Sequence, residues 1–275
     1  MPDGQAGQII RSMSDTGIDQ LALPSAQAWG FPVLSSRFLR AFIDLNRHMG
    51  ELDPLLIDGL TAGEQRIEPG SRVAAGLGLI PRLADPQTPI YSKRLSLRAV
   101  QSRIERYYSP YHTRLADLVS DCQSRFGCCL LIDLHSMPPV NPALARRCLS
   151  LTDGQPAKKS QRFPQSPLNF VIGTNFGKTL PSDWAHQIQR YWQDCGLTVS
   201  MNRPYAGGHI TAHHGKQINA VQLEICRGLY PGQDVSATSK EMERLFTGFV
   251  GHMISHVIDI GGINIGNHTR KQAAE

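Results

Sequence analysis

The stretch LLIDLHSMPP, residues 130–139, runs apolar and then presents Asp133, His135 and Ser136 ahead of a double proline. A histidine at the end of a strand can be a metal ligand, a general base or a hydrogen-bonded core residue. Asp133 lies two residues earlier, on the same face of a regular strand, and can orient the ring. A second cluster, FIDLNRHMGELDP (42–54), places Asn46 and Arg47 after an apolar run. A guanidinium beside an amide suits a two-point grip on a carboxylate; the plain alternative is a surface arginine in an ordinary loop. The third cluster, NRPYAGGHITAHHGKQINAVQLEICRGLY (202–230), passes through a Gly207–Gly208 hinge to His209, His213 and His214 and ends with Glu224 inside an apolar run. A carboxylate is costly to bury unless paired or functional, and burial would raise its pKa into the range of a general base. Simple alternation offers another reading, with Gln222 and Glu224 facing solvent and Val221, Leu223 and Ile225 facing inward. Adjacent His213 and His214 make a poor chelating pair and read as loop residues bordering a site.

The elements that must position these groups alternate between strand-like and helix-like patterns. FLRAFIDLN (38–46) reads as a strand with a polar end. Between Ser96 and Phe126 apolar residues recur at steps of three and four from Leu97 to Phe126, which predicts a long amphipathic helix kinked or split at Pro110 and stopped by Gly127. CCLLIDLH, LNFVIGTNFG (168–177), LTVSMN and NAVQLEI read as strands. Trp184, Ile188, Tyr191, Trp192 and Cys195 line a helix closed by Gly196. Thr238 with Glu241 matches a capping box, and the apolar positions Met242 to Val257 mark a last helix ended by Gly261–Gly262. The proline-rich stretch from Met137 to Pro167 reads as a long excursion. This alternation predicts a single α/β domain spanning 1–275, with 1–20 and 268–275 loosely ordered. Its expected architecture is a three-layer α/β/α sandwich around a mostly parallel or mixed sheet, with functional groups at strand ends.

Composition narrows the class. The chain carries 28 basic and 23 acidic residues, a net charge of +5, and is 41% hydrophobic. The basic residues are scattered without an aromatic-interleaved stripe, which argues against a nucleic-acid partner, whereas a modest positive bias suits a small anionic substrate. The six cysteines form no CxxC pair and read as reduced thiols of a cytoplasmic protein. The first residues have no basic-then-apolar pattern of a secretory signal, and no apolar run is long enough to span a bilayer.

In order along the chain, SRFLRAFIDLNR, ELDP, RVAAGLGLIPRL, YYSPYH, LLIDLHSMP, NRPYAGGHIT and VQLEICRGLY resemble the N-formylglutamate amidohydrolase family over roughly 35–230. That family is in turn similar to zinc carboxypeptidases. The resemblance implies a zinc-dependent hydrolase acting on the N-acyl amide of an acidic amino acid. It implies that Asn46 and Arg47 hold the substrate carboxylate, that His135 binds zinc and that Glu224 is the general base. It also implies that Tyr205, Thr211 and Arg227 line the substrate pocket. Zn²⁺ in such a site lowers the pKa of bound water to about 7 and polarises the acyl carbonyl. Family members carry a His-Ser-Gly segment ahead of the Asn-Arg motif, and here the first histidine is His48. Asp15 is the remaining upstream candidate ligand. Two expectations follow. Either the chain starts late relative to the natural product, or it is a catalytically silent homologue with weak or no metal that keeps the pocket as a small-molecule binding module.

Overall fold

Branched and aliphatic residues pack well on a pleated surface, and the two richest such runs, LLIDLHSM and NAVQLEIC, pair as neighbouring strands. The protein is described from a computed structural model covering residues 7, 9, 10, 13–60, 70–138, 168–230 and 237–261. In chain order its principal elements begin with helix α1 (Asp19–Trp29), strand β1 (Ile57–Asp58), helix α2 (Ser71–Ala74) and strands β2 (Leu83–Asp85), β3 (Thr88–Pro89) and β4 (Leu95–Ser96). Helix α3 (Leu97–Arg103) runs through a π-helical turn (Ile104–Tyr108) into α4 (Ser109–Phe126). Then come β5 (Leu130–Met137), β6 (Phe170–Gly173), α5 (Ser182–Asp194), β7 (Val199–Met201), α6 (His209–His214), β8 (Asn219–Cys226) and α7 (Ala237–Gly261). The Cys148 thiol, the proline-rich 139–167 and the side chain of Thr238 lie outside the described residues.

The described chain falls into two compact units. The first comprises the described parts of Met1–Thr16, Leu34–Leu118 and Gly208–Ile210. Its core joins Ile43, Leu52, Leu56, Ile57, Leu79, Ile80, Val100 and Tyr108. β1 pairs with β4 in parallel and β2 with β3 antiparallel. The expected strand at 38–46 is instead a series of turns. The reason is local: Asp44 Oδ1 accepts the backbone N–H of Asn46 (2.9 Å), and Arg47 N–H bonds the carbonyl of Asp44 (3.2 Å). A short carboxylate side chain that bonds the backbone two residues on favours a turn over a ladder. Pro110 does not split the long helix. The turn ahead of it widens to π geometry, which accommodates the missing N–H and ring of the proline. Gly127 (φ 72°) ends α4 in the left-handed conformation that glycine adopts without a Cβ clash.

The second unit comprises the described parts of Gly17–Val33, Val119–Gly207 and Thr211–Glu275. Its four-stranded mixed sheet has the order β5-β8-β6-β7. β5 runs parallel to β8, β6 antiparallel to β8, and β7 parallel to β6. One face carries Phe170, Ile172, Val221, Leu223 and Ile225, packed with α1, α5 and α7 through Leu21, Trp184, Ile188, Trp192, Met242, Phe246, Phe249 and Met253. Phe170 stacks on Trp192 with ring centroids 4.2 Å apart. The helical spacing of Met242, Phe246, Phe249 and Met253 is the one expected from sequence. Among the described residues no helix is long and apolar enough to cross a membrane.

Candidate active site

The other face of the second unit's sheet is polar at its centre. Parallel register pairs Asp133 with Gln222 and His135 with Glu224, so four hydrogen-bonding side chains form a block on adjacent strands about 4.8 Å apart. All four are buried: Asp133 8%, His135 8%, Gln222 5% and Glu224 8% exposed. These values settle the alternation question, because Gln222 and Glu224 share a face and that face is not solvent. Asp133 Oδ1 lies 2.8 Å from His135 Nε2, the orienting bond expected from their spacing. The Thr211 hydroxyl donates to Asp133 Oδ2 (3.1 Å), and the Gln222 amide donates to Glu224 Oε1 (2.8 Å). Each acidic group is thus held in place by a neutral donor or an imidazole, as buried polar groups require.

Around this block the packing is close. Met137, Leu168, Val171 and Cys226 form a small apolar cluster against which Tyr205 packs. Gly173 faces Gln222 across β6 and β8, and a Cβ there would lie 2.7 Å from the Ala206 backbone. The segment after Tyr205 therefore rests directly on the sheet. Ser136 alternates to the opposite face from His135, and Arg227 Nε donates to its hydroxyl (3.0 Å). His213 and His214 are helical residues at the end of α6, a correction to the loop expected from sequence. His214 is 8% exposed, and burial followed by the nearby His213 lowers its pKa below the ordinary 6.5, partly opposed by Asp133. The unfolded imidazole takes its proton as pH falls through about 6.5 while the folded one resists, so stability is lost on acidification through that range. We predict that the urea midpoint falls between pH 7.5 and 5.5 and falls less in His214→Gln.

The first unit contains the arginine site. Asp44, 4% exposed, is its centre: Oδ2 lies 3.1 Å from Arg40 Nε and 3.5 Å from Arg47 Nε. Burial lowers the pKa of Arg47, opposed by Asp44, yet an arginine remains cationic at every physiological pH. Its Nε is buried with no hydrogen-bond partner among the described residues. The Tyr108 hydroxyl donates to the Arg47 carbonyl (2.8 Å). Burial and the carboxylates of Glu51 and Asp44 hold that phenol above its usual value, so it stays a donor. Asn46 has a structural task. Its Oδ1 accepts the Ile210 N–H (2.8 Å) and its carbonyl accepts the His209 N–H (3.3 Å). A Cβ at Gly208 would fall within 2.3–2.4 Å of the Asn46 side chain. Gly208→Ala should therefore cost about 1–3 kcal/mol of stability, the usual scale of overpacking, read as a lower denaturant midpoint. Asp15, the upstream acidic candidate, pairs with Arg40 at 3.7 Å.

Gln222 and Asp44 were not singled out from sequence as site residues. Two-residue alternation before Glu224 pointed to the first. The spacing Arg40, Asp44, Arg47 carried the second, hidden by the strand expected there. Among the described residues no group of three His, Cys, Asp or Glu side chains could hold a metal ion. Catalytic zinc usually takes three protein ligands, so the described donors, His135 included, do not complete such a set. The described cysteines are free thiols. Burial and the neighbouring Cys122 push Cys129 up to about 12, which keeps this half-buried group a thiol at neutral pH.

The model of a family described as N-formylglutamate amidohydrolase matches residues 5–231. The chain is 28% identical over 239 residues to an N-formylglutamate deformylase of Pseudomonas putida, covering 84% of this chain and 76% of that protein. It is 26% identical over 211 residues to the N-formylglutamate deformylase of Pseudomonas aeruginosa, covering 74% and 66% respectively. The crystal structure of an N-formylglutamate amidohydrolase from Ralstonia eutropha JMP134 superposes with a TM-score of 0.74 at 30% identity, covering 93% of this chain and 87% of that one. A gene product of Agrobacterium tumefaciens, at 16% identity and a TM-score of 0.56 over 88% of this chain and 78% of that one, shares the fold.

Proposed function

Because the chain belongs to the N-formylglutamate amidohydrolase family, we propose that it hydrolyses the N-formyl or a related N-acyl amide of an acidic amino acid such as N-formylglutamate. The products are a small carboxylate and the free amino acid. The observation that carries the reading is the pairing in register of buried His135 and Glu224 on β5 and β8. Hydrolysis of an amide needs a base to take a proton from water and to return it to the departing nitrogen. Glu224 has that role, its carboxylate oriented by the hydrogen bond that the Gln222 amide donates to Oε1. A water proton moves to Glu224 as oxygen attacks the acyl carbon; the C–N bond then breaks and Glu224 protonates the amine.

Asp133 fixes the His135 ring by its Nε2, the kind of outer partner that metal-bound histidines have, and we assign His135 as the candidate zinc ligand. Among the described residues the donors fall short of the three usual at a catalytic zinc. Arg47 takes the substrate carboxylate, Asn46 holds the backbone beside it, and Tyr205, Thr211 and Arg227 complete the substrate surroundings. Thr211 does so while supporting Asp133. The test is release of formate and glutamate in equal amounts from N-formylglutamate, measured on the purified chain with and without added Zn²⁺. Equal release supports the reading. Binding of N-formylglutamate without any release, with zinc present, would make the chain a silent binding module instead.

A further inference from the structure

The row of side chains next to the His135–Glu224 pair has no part in the proposed reaction. Strand alternation puts Met137 on the same face of β5 as His135, and Cys226 on the same face of β8 as Glu224. These two residues pair in register one side-chain step, about 6.6 Å, beyond His135 and Glu224. On the next strand Val171 stands in register with Glu224 itself. Met137, Val171, Cys226 and Leu168 form one apolar cluster, with Tyr205 and Leu229 packed against it. The cluster is closed: Met137 and Val171 are 0% exposed and Cys226 is 6% exposed. The opposite side of the pair is polar. There stand Asp133 and Gln222, with the Thr211 hydroxyl on Asp133 and the Ala206 backbone against Gly173.

The chemistry of the substrate decides how it lies between these two sides. An N-acyl acidic amino acid is charged at its amino-acid end and uncharged at its acyl end. A carboxylate set against the apolar cluster would be stripped of water with no partner, whereas a hydrogen or an alkyl group meets no such cost there. The acyl carbon must also come within about 3–3.5 Å of a water held by Glu224. That leaves little depth in front of side chains one step along the strands. Resting on the function proposed above, we propose that Met137, Cys226 and Val171 form the acyl wall of the site and determine its specificity by size. A formyl hydrogen fits against this wall. Each added carbon has to displace side chains that are already close-packed, which a closed core resists.

The test measures kcat/KM for N-formyl-, N-acetyl- and N-propionylglutamate with the unsubstituted chain, Met137→Ala and the milder Cys226→Ala. Leu223→Ala, on the opposite face of β8, is the control for general loosening of the sheet. The unsubstituted chain should lose about 10- to 200-fold with the first added carbon, the scale of one carbon in a fitted pocket. Met137→Ala should raise the acetyl-to-formyl ratio about tenfold and Cys226→Ala by a smaller factor, with the ratio unchanged in Leu223→Ala. Equal rates for formyl and acetyl in the unsubstituted chain overturn the wall whether or not any variant folds. An unaltered ratio in both wall variants, or a matching rise in Leu223→Ala, also overturns it. In each of these cases cleavage of N-formylglutamate leaves the hydrolytic reading standing. No cleavage of any of the three compounds by the unsubstituted chain, with Zn²⁺ added, overturns the hydrolytic reading and the wall with it.

Discussion

Glu224→Gln is expected to lower turnover of N-formylglutamate by about 100- to 10,000-fold, the usual contribution of a positioned general base, with substrate affinity close to that of the unsubstituted chain. Glutamine keeps the shape and one hydrogen-bonding oxygen but cannot take a proton. The neighbouring Gln222 amide, 2.8 Å from Oε1, still finds an acceptor in the new side chain, so the block on β5 and β8 should stay folded. Steady-state kinetics with a parallel binding measurement separates the two effects. A large loss of affinity with kcat unchanged would show Glu224 to be a substrate contact and not a base.

Arg47→Ala comes second in size. Removing a partly buried guanidinium from a bound carboxylate costs about 2–5 kcal/mol in affinity and transition-state terms. The loss should fall mainly on KM. Asp44 retains Arg40 at 3.1 Å and the Asn46 N–H at 2.9 Å, so the folded state keeps partners for the buried carboxylate. A fall in the unfolding midpoint with unaltered KM would make Arg47 a structural cation and remove the substrate role assigned to it.

Much of the second unit was legible in the sequence because its signals are periodic. The helix spacing of Trp184, Ile188 and Trp192 and of Met242, Phe246, Phe249 and Met253 matches the buried faces of α5 and α7. LLIDLHSM and NAVQLEIC are strands because a buried sheet accepts continuous apolar runs. What alternation alone could not decide was which face of β8 was covered. Gln222 and Glu224 occupy the same pattern whether they meet water or a polar block, and only the neighbouring β5, with Asp133 and His135 in register, distinguishes the two.

In the first unit the hydrophobic pattern misled. Phe38, Phe42, Ile43 and Leu45 are apolar enough for a strand, yet Asp44 bends the chain by bonding the backbone at Asn46. That turn is what gives Arg47 its setting, with Asp44 on its Nε side and Tyr108 on its carbonyl. Pairings between residues distant in sequence, such as Asn46 with Ile210 or Thr211 with Asp133, leave no periodic trace. The family resemblance pointed to the motifs that contain them without showing which atoms meet.

Hydrolysis by this site requires His135 and Glu224 to work as one pair, and a double-mutant cycle measures that directly. Single-turnover rates for N-formylglutamate in His135→Gln, Glu224→Gln and the doubly substituted chain are the quantities needed. Groups that serve one step are not additive, so the double variant should be no slower than the slower single variant. Rate losses that multiply across the two substitutions would mean that the residues act independently, and the paired site would have to be abandoned.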